Sequence, residues 1–349
     1  MSGVKLDYGV RLVFILHWRL YKKLLLIMQT STERHINLPW TESPFFEKEL
    51  TEARLNPHLK ELVKQYAEQG FVIFDPEIDK SILDEAVSNL LPRFEADEIN
   101  RIQDAWKYSP ASQKIAAAPK IMELLRVLYR REPIPFQTLN FNVGTQQKTH
   151  SDSIHFNSVP QRFMCGVWVA LEDVRDDNGP LHYYPESHKL PCYDLVDIGL
   201  MGSAAKSVQD TYGRIYANYE NFIEEMTKAR HLKKAILNIN KGQAIVWAAN
   251  LLHGGEKITR PGATRHSQVT HYFFENCVYY TPLLSDSAID RMYIRQITNI
   301  ATGEAVQNKY FQQSLKQNDE GYPKRLNIPA SLLKFKRFIP GSIKKLLRT

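Results

Sequence analysis

The chain is poor in several things, and each shortage excludes something. Three cysteines in 349 residues, Cys165, Cys192 and Cys277, are odd in number, far apart and form no C-x-x-C pair. A disulfide framework and a cysteine-ligated zinc or redox site are thereby set aside, and a reducing, cytoplasmic setting is the simplest expectation. No H-E-x-x-H helix is present, so the zinc-protease pattern is missing, and no G-x-S-x-G elbow accompanies Ser187-His188. A serine hydrolase therefore has no nucleophile here, and His188 reads as a turn residue. Neither an internal repeat nor a low-complexity linker divides the chain.

Uninterrupted apolar runs are also scarce. Tyr8 to Met28, YGVRLVFILHWRLYKKLLLIM, is strongly apolar but broken by Arg11, His17, Arg19, Lys22 and Lys23. It is too interrupted to cross a bilayer and lacks the small-residue cleavage site of a secretory signal, and a start at Met28 instead of Met1 is an alternative. The net charge of +7 would suggest nucleic acid, yet residues 1–28 carry +4 and residues 332–349 carry +6. The body between them is slightly acidic, so no nucleic-acid partner is expected. The tail, LLKFKRFIPGSIKKLLRT, alternates apolar and basic residues and suits peripheral contact with an anionic membrane surface.

What is present falls into two textures. From Ser43 to Arg131 apolar residues recur at three- and four-residue spacing, as in PFFEKELTEARLNPHLKELVKQYAEQG, DKSILDEAVSNLLPRFEAD and APKIMELLRVLYRR. Gly70 stops the first, Pro119 opens the last, and FVIFD after Gly70 reads as a short strand. From Pro135 onward the runs are short, aromatic and β-branched, separated by turns such as DDNGP and NKGQ. Pro191 to Leu232 interrupts them with a helical YANYENFIEEMTKARHL. Many short strands without alternating helices predict a sandwich or jelly roll, mainly β with added helices. The expected divisions are an extension over 1–35, a helical lead over 36–131 and a core over 132–300 with an insertion at 191–232. Residues 301–349 form a C-terminal extension.

One stretch of the core concentrates ionisable groups: KTHSDSIHF, Lys148 to Phe156. On a strand, His150 and Asp152 at i and i+2 would point the same way, a geometry suited to a metal ion. His253 in VWAANLLHGGEKI is the best third ligand, at the end of a buried-looking strand. Two imidazoles and one carboxylate with open positions form the facial set of non-haem Fe(II) oxygenases, with zinc as the rival metal. Arg265, in GATRHSQVTHYFF, offers a planar fork to a dicarboxylate beside that metal. His155 could line a substrate pocket, though its opposite parity from His150 makes a structural role as natural. Gln137 and Asn140 are polar on an inner strand, candidates respectively for co-substrate and substrate contact. Trp247, His182, Tyr183 and Tyr184 read as core.

The run from Phe136 to Phe274 resembles the phytanoyl-CoA dioxygenase family of iron- and 2-oxoglutarate-dependent oxygenases. The likeness is carried by HSDSIHF, by Trp168 in GVWVALEDV, by NGPLHYYPESHKL, by LLHGG and by Arg265, in that order. QYAEQGFVIFD looks like the family's entry into its domain. The resemblance implies a double-stranded β-helix, or jelly roll, holding Fe(II) through His150, Asp152 and His253. It implies 2-oxoglutarate gripped by Arg265 and packed on Trp168, with dioxygen as the oxidant. A small-molecule, glycan- or lipid-linked substrate, such as a lipopolysaccharide sugar, would be hydroxylated with release of succinate and carbon dioxide. Retention of Asp152 favours hydroxylation over halogenation, since no ligand position is vacated for halide. The other reading is a non-catalytic jelly-roll binding protein that retains the metal site. Two positions depart from the pattern: Gly255 stands where relatives often have serine, and Glu186 where glycine is common.

Overall fold

The structure is a computed structural model that describes residues 37–200, 211–289, 291–310 and 313–315. The basic extension and tail, and with them the expected membrane contact, lie outside the described residues. The described residues from Pro39 onward form one compact unit.

Helices gather at the start of that unit: α1 (Phe46–Glu52), α2 (Pro57–Gln69), α3 (Lys80–Ala96), α4 (Pro110–Ala116) and α5 (Pro119–Tyr129), with α6 (Tyr216–Ala229) much later. Where the sequence pattern suggests one long first helix, two form, because Pro57 can only begin a helix and Asn56 caps it by accepting from the Leu59 N–H at 2.8 Å. Gly70 ends α2 in the left-handed region, φ +82°, donating its N–H to Tyr66 O at 2.8 Å. The His188 ring lies where a side chain at position 70 would stand and donates from Nε2 to Ala67 O at 3.1 Å. A distant turn is thereby tied to the end of α2.

The strands are β1 (Phe71–Phe74), β2 (Arg101–Gln103), β3 (Pro133–Phe141), β4 (Asn157–Val159), β5 (Met164–Ala170), β6 (Leu181–Tyr183), β7 (Ala235–Ile236), β8 (Ala244–Ala248), β9 (His253–Gly255), β10 (Ser267–Phe274) and β11 (Val278–Tyr280). Six of them make an antiparallel sheet in the order β1-β8-β5-β10-β3-β2. A smaller antiparallel sheet runs β7-β6-β9, and β4 pairs with β11. The lead is not a separate layer, since its strands β1 and β2 form the two edges of the larger sheet.

Strand alternation decides what each face of that sheet does. Val167 and Val169 of β5, and Val246 and Ala248 of β8, join the main apolar cluster with Leu83 of α3, Ile115 of α4 and Leu125 and Leu128 of α5. Each of these valine, leucine and isoleucine side chains, fully buried, contributes roughly 1.5–3 kcal/mol against exposure. Trp168 and Trp247, one step out of phase, point to the other face. That face borders a cavity of about 530 Å³, whose other walls come from β6, β9, the segment around His150 and Tyr216 of α6.

Candidate metal centre

His150 and His253 are 103 positions apart in sequence but face each other across one antiparallel bridge. The His150 N–H donates to His253 O at 2.9 Å, and the His253 N–H donates to His150 O at 3.0 Å. This mutual pair fixes the separation of the two backbones, so both imidazoles leave from neighbouring points with ring centroids 4.6 Å apart.

Asp152 joins them by a route that strand parity does not describe. The strand expected through Lys148 to Phe156 does not form beyond the single bridge at His150, and Asp152 opens a 3-10 turn, Asp152–Ile154, capped by the Ser151 hydroxyl. Ser151 also donates to Ala249 O at 3.0 Å, and the Ser153 N–H donates to the same carbonyl at 3.0 Å. The turn is therefore stitched to the chain leading into His253. One donor atom from each of His150, Asp152 and His253 lies within 4.8 Å of the other two, and all three residues are buried. Asp152 Oδ1 is 3.9 Å from both His150 Nε2 and His253 Nε2.

The protonation states suit a cation. His150 Nδ1 lies 2.9 Å from Lys148 O and His253 Nδ1 lies 2.9 Å from Leu251 O, so each Nδ1 carries the proton and donates. Both Nε2 atoms face inward, that of His150 with the Gln147 amide nitrogen 3.2 Å away. Burial, with His253 nearby, drives the His150 pKa down to about 3, so its ring is neutral at physiological pH. Burial alone would raise Asp152, but His253, His271, His150 and the Trp247 N–H outweigh it and hold the carboxyl at about 2. A carboxylate and two imidazoles with Nε2 turned inward result, a donor set for a divalent transition metal.

Arg265 lines the same cavity, 1% exposed, from the two residues before β10 instead of the strand itself. Its Nη1 donates to Gly179 O at 2.9 Å, while the buried Nε has no hydrogen-bond partner. The guanidinium carbon is 5.8 Å from the Trp168 ring and 6.0 Å from the Phe141 ring. Burial lowers its pKa to about 10, and Glu172 offsets this only in part. A charged fork in an aromatic niche with a donor to spare has the chemistry to pair with a carboxylate.

The remaining expected residues divide by parity. Gln137, Leu139 and Phe141 of β3 line the cavity, whereas Asn140 does not: its amide donates to Gln268 Oε1 at 3.0 Å on the other face. Gln137 and Asn140 are three positions apart and cannot share one face of a strand. His155 does line the cavity, because the 3-10 turn changes its direction; its ring centroid is 4.8 Å from that of Tyr216 in α6. Burial lowers the His155 pKa to about 4.

Several cavity residues escape sequence reasoning. Trp247, read as core, donates from Nε1 to Asp152 Oδ2 at 2.8 Å. His271, with Nε2 3.7 Å from the same oxygen, sits in the run THYFF but belongs to no motif. Its parity with Val269 on β10 is the signal that could have found it. Arg101, Tyr216 and Arg295 reach the wall from an edge strand, the insertion and a loop, where no periodicity announces them.

Two inward-facing imidazoles, one carboxylate and a buried arginine define a mononuclear metal centre of the two-histidine-one-carboxylate class. The sequence model of the phytanoyl-CoA dioxygenase family matches residues 63–267, and the chain belongs to that family. It is 27% identical over 115 residues to phytanoyl-CoA dioxygenase domain-containing protein 1 of Danio rerio, and 29% identical over the same length to that of Mus musculus. Each match takes in 32% of this chain, and the chain spans 39% of the length of either relative. Among solved structures it is similar to the epimerase SnoN from nogalamycin biosynthesis, described as non-heme and alpha ketoglutarate dependent. The identity is 16%, over 76% of this chain and 97% of SnoN, with a TM-score of 0.49. EctD from S. alaskensis, solved with 2-oxoglutarate and 5-hydroxyectoine, is similar at 17% identity over 66% of this chain and 80% of EctD, with a TM-score of 0.49.

Proposed function

We propose that the protein is an Fe(II)- and 2-oxoglutarate-dependent dioxygenase built on a double-stranded β-helix. The observation that carries this reading is the buried convergence of His150, Asp152 and His253 on a cavity that also holds the under-satisfied Arg265 guanidinium. Family membership supports it. The larger sheet and the smaller β7-β6-β9 sheet would be the two halves of the β-helix, with 36–131 as its lead and 191–232 as its insertion.

Each residue then has a task set by its chemistry. His150 and His253 offer Nε2 lone pairs and Asp152 offers Oδ1 to Fe(II). Iron, 2-oxoglutarate and dioxygen together supply oxidation of a C–H bond with release of succinate and carbon dioxide. Arg265 pairs with the distal carboxylate of 2-oxoglutarate, Trp168 packs beside it, and Gln137 borders it. His155 faces the substrate from the wall shared with Tyr216. The substrate is a small molecule or a glycan- or lipid-linked group, such as a lipopolysaccharide sugar, held so that one C–H bond would face the metal.

The test is binding first, turnover second. Anaerobic protein is expected to bind one Fe(II) per chain and then 2-oxoglutarate, and to release succinate when oxygen is admitted. Iron-saturated protein that binds 2-oxoglutarate without ever consuming it would point to the non-catalytic binding protein instead.

A further inference from the structure

Asp152 has two oxygens in different surroundings. Oδ1 faces both histidine Nε2 atoms at 3.9 Å, whereas Oδ2 receives the Trp247 indole N–H at 2.8 Å and lies 3.7 Å from His271 Nε2. Trp247 and His271 lie on β8 and β10, and the strand between them, β5, presents Gly166 to both: Gly166 is the register partner of Trp247 on one side and of His271 on the other. A Cβ built on Gly166 would stand 2.4 Å from Trp247 Cε2 and 2.6 Å from Trp247 Nε1. The indole occupies the space that any side chain at 166 would fill. It is 3% exposed, and its ring lies 4.7 Å from that of His253.

We propose that the row Trp247-Gly166-His271 across the larger sheet is a cradle for the outer oxygen of Asp152, with Trp247 as its principal positioning residue. The indole N–H engages Oδ2, so that Asp152 turns Oδ1 toward the two histidine Nε2 atoms, as a ligand would need. This rests on the metal-site reading above and assigns to Trp247 and Gly166 a role that the ligand pattern does not contain. Bonds of this kind to a ligating carboxylate orient it, and their loss typically weakens metal binding 10–100-fold. Gly166 acts indirectly, since any larger residue displaces the indole.

The experiment is a Mn(II) titration of the full chain, read by the electron paramagnetic resonance of free Mn(II), for wild type, Trp247→Phe, Gly166→Ala and the double variant. Melting of each is followed without metal. Trp247→Phe is expected to raise the Mn(II) Kd about 10–100-fold. Gly166→Ala should do the same, and the double variant should be no weaker than Trp247→Phe alone, because the indole that the methyl group introduced by Gly166→Ala would displace has gone. Should Trp247→Phe fail to fold, 3-benzothienylalanine at 247 keeps the ring shape and removes only the N–H, and the same weakening is expected. A folded Trp247→Phe or benzothienyl protein whose Kd stays within about twofold of wild type, even with a lower melting temperature, makes Trp247 a packing residue and overturns the proposal. Wild-type protein that binds no Mn(II) is a different result: it overturns the metal centre itself, and the cradle with it.

Discussion

At the scale of single residues, Asp152 carries the heaviest demand: a buried anion must stay ionised with only imidazoles, an indole N–H and a metal position around it. Asp152→Ala is expected to abolish stoichiometric metal binding, checked by anaerobic titration. Arg265→Ala should leave the metal bound but weaken 2-oxoglutarate at least tenfold, checked by calorimetry on metal-loaded protein. A charge-assisted bond is worth about 1.5–3 kcal/mol, and 1.4 kcal/mol is a factor of ten. Much of the candidate site was legible because its ligands are rare residue types in a recognisable order. Strand alternation accounts for their convergence only in part. His150 and Asp152 do face one point, yet a 3-10 turn brings them there. Gln137 and Asn140 read alike as polar residues on an inner strand, and only strand parity separates Gln137, on the cavity, from Asn140, on the other face. Trp247 is not legible as a site residue, because a tryptophan in an apolar run looks the same whether its N–H is needed or not.

At the scale of elements, the insertion is more than an ornament on the core. Tyr219, Ile223 and Met226 of α6 pack with Ile154, two residues beyond Asp152, and with Leu252, one residue before His253. Ile223→Ala should cost about 2–5 kcal/mol of stability. Because both ligand segments lean on that cluster, it should also weaken metal binding in the fraction that remains folded, measured by urea titration with and without Mn(II). A second element-level test concerns the tie between His188 and α2. Burial, only partly offset by the bond to Ala67, lowers the His188 pKa from 6.5 to about 4. Between those values the unfolded chain binds a proton that the folded chain refuses, so stability contributed by neutral His188 is complete above pH 6.5 and falls as pH drops toward 4. Urea midpoints at pH 7.5 and pH 5 should therefore differ less in His188→Gln than in wild type, and an equal difference would contradict the tie. The sequence could announce α6 by its periodicity, but not what α6 supports, because its partners lie about 30 to 70 positions away.

At the scale of the whole molecule, one sheet serves two environments. Its outer face is sealed by α3, α4 and α5, and its inner face borders a cavity that α6 reaches only through Tyr216, so the lead helices protect the hydrophobic core while the insertion helix borders the site. The mixed architecture with antiparallel sheets was readable from the change of texture at Pro135. The pairing of β1 and β2 to the sheet edges was not, since edge strands this short carry little pattern of their own. Among the described residues no helix is long and apolar enough to cross a membrane. Metal binding should stabilise the whole unit by mass action, about 2.7 kcal/mol at one hundred times Kd, seen as a rise in melting temperature that Asp152→Ala abolishes. The most direct measurement is an anaerobic titration of the full chain with Fe(II) and then 2-oxoglutarate, followed by a succinate assay in oxygen. One iron and one 2-oxoglutarate per chain, with succinate formed, is the expected result; a folded protein that takes up neither contradicts the proposed enzyme.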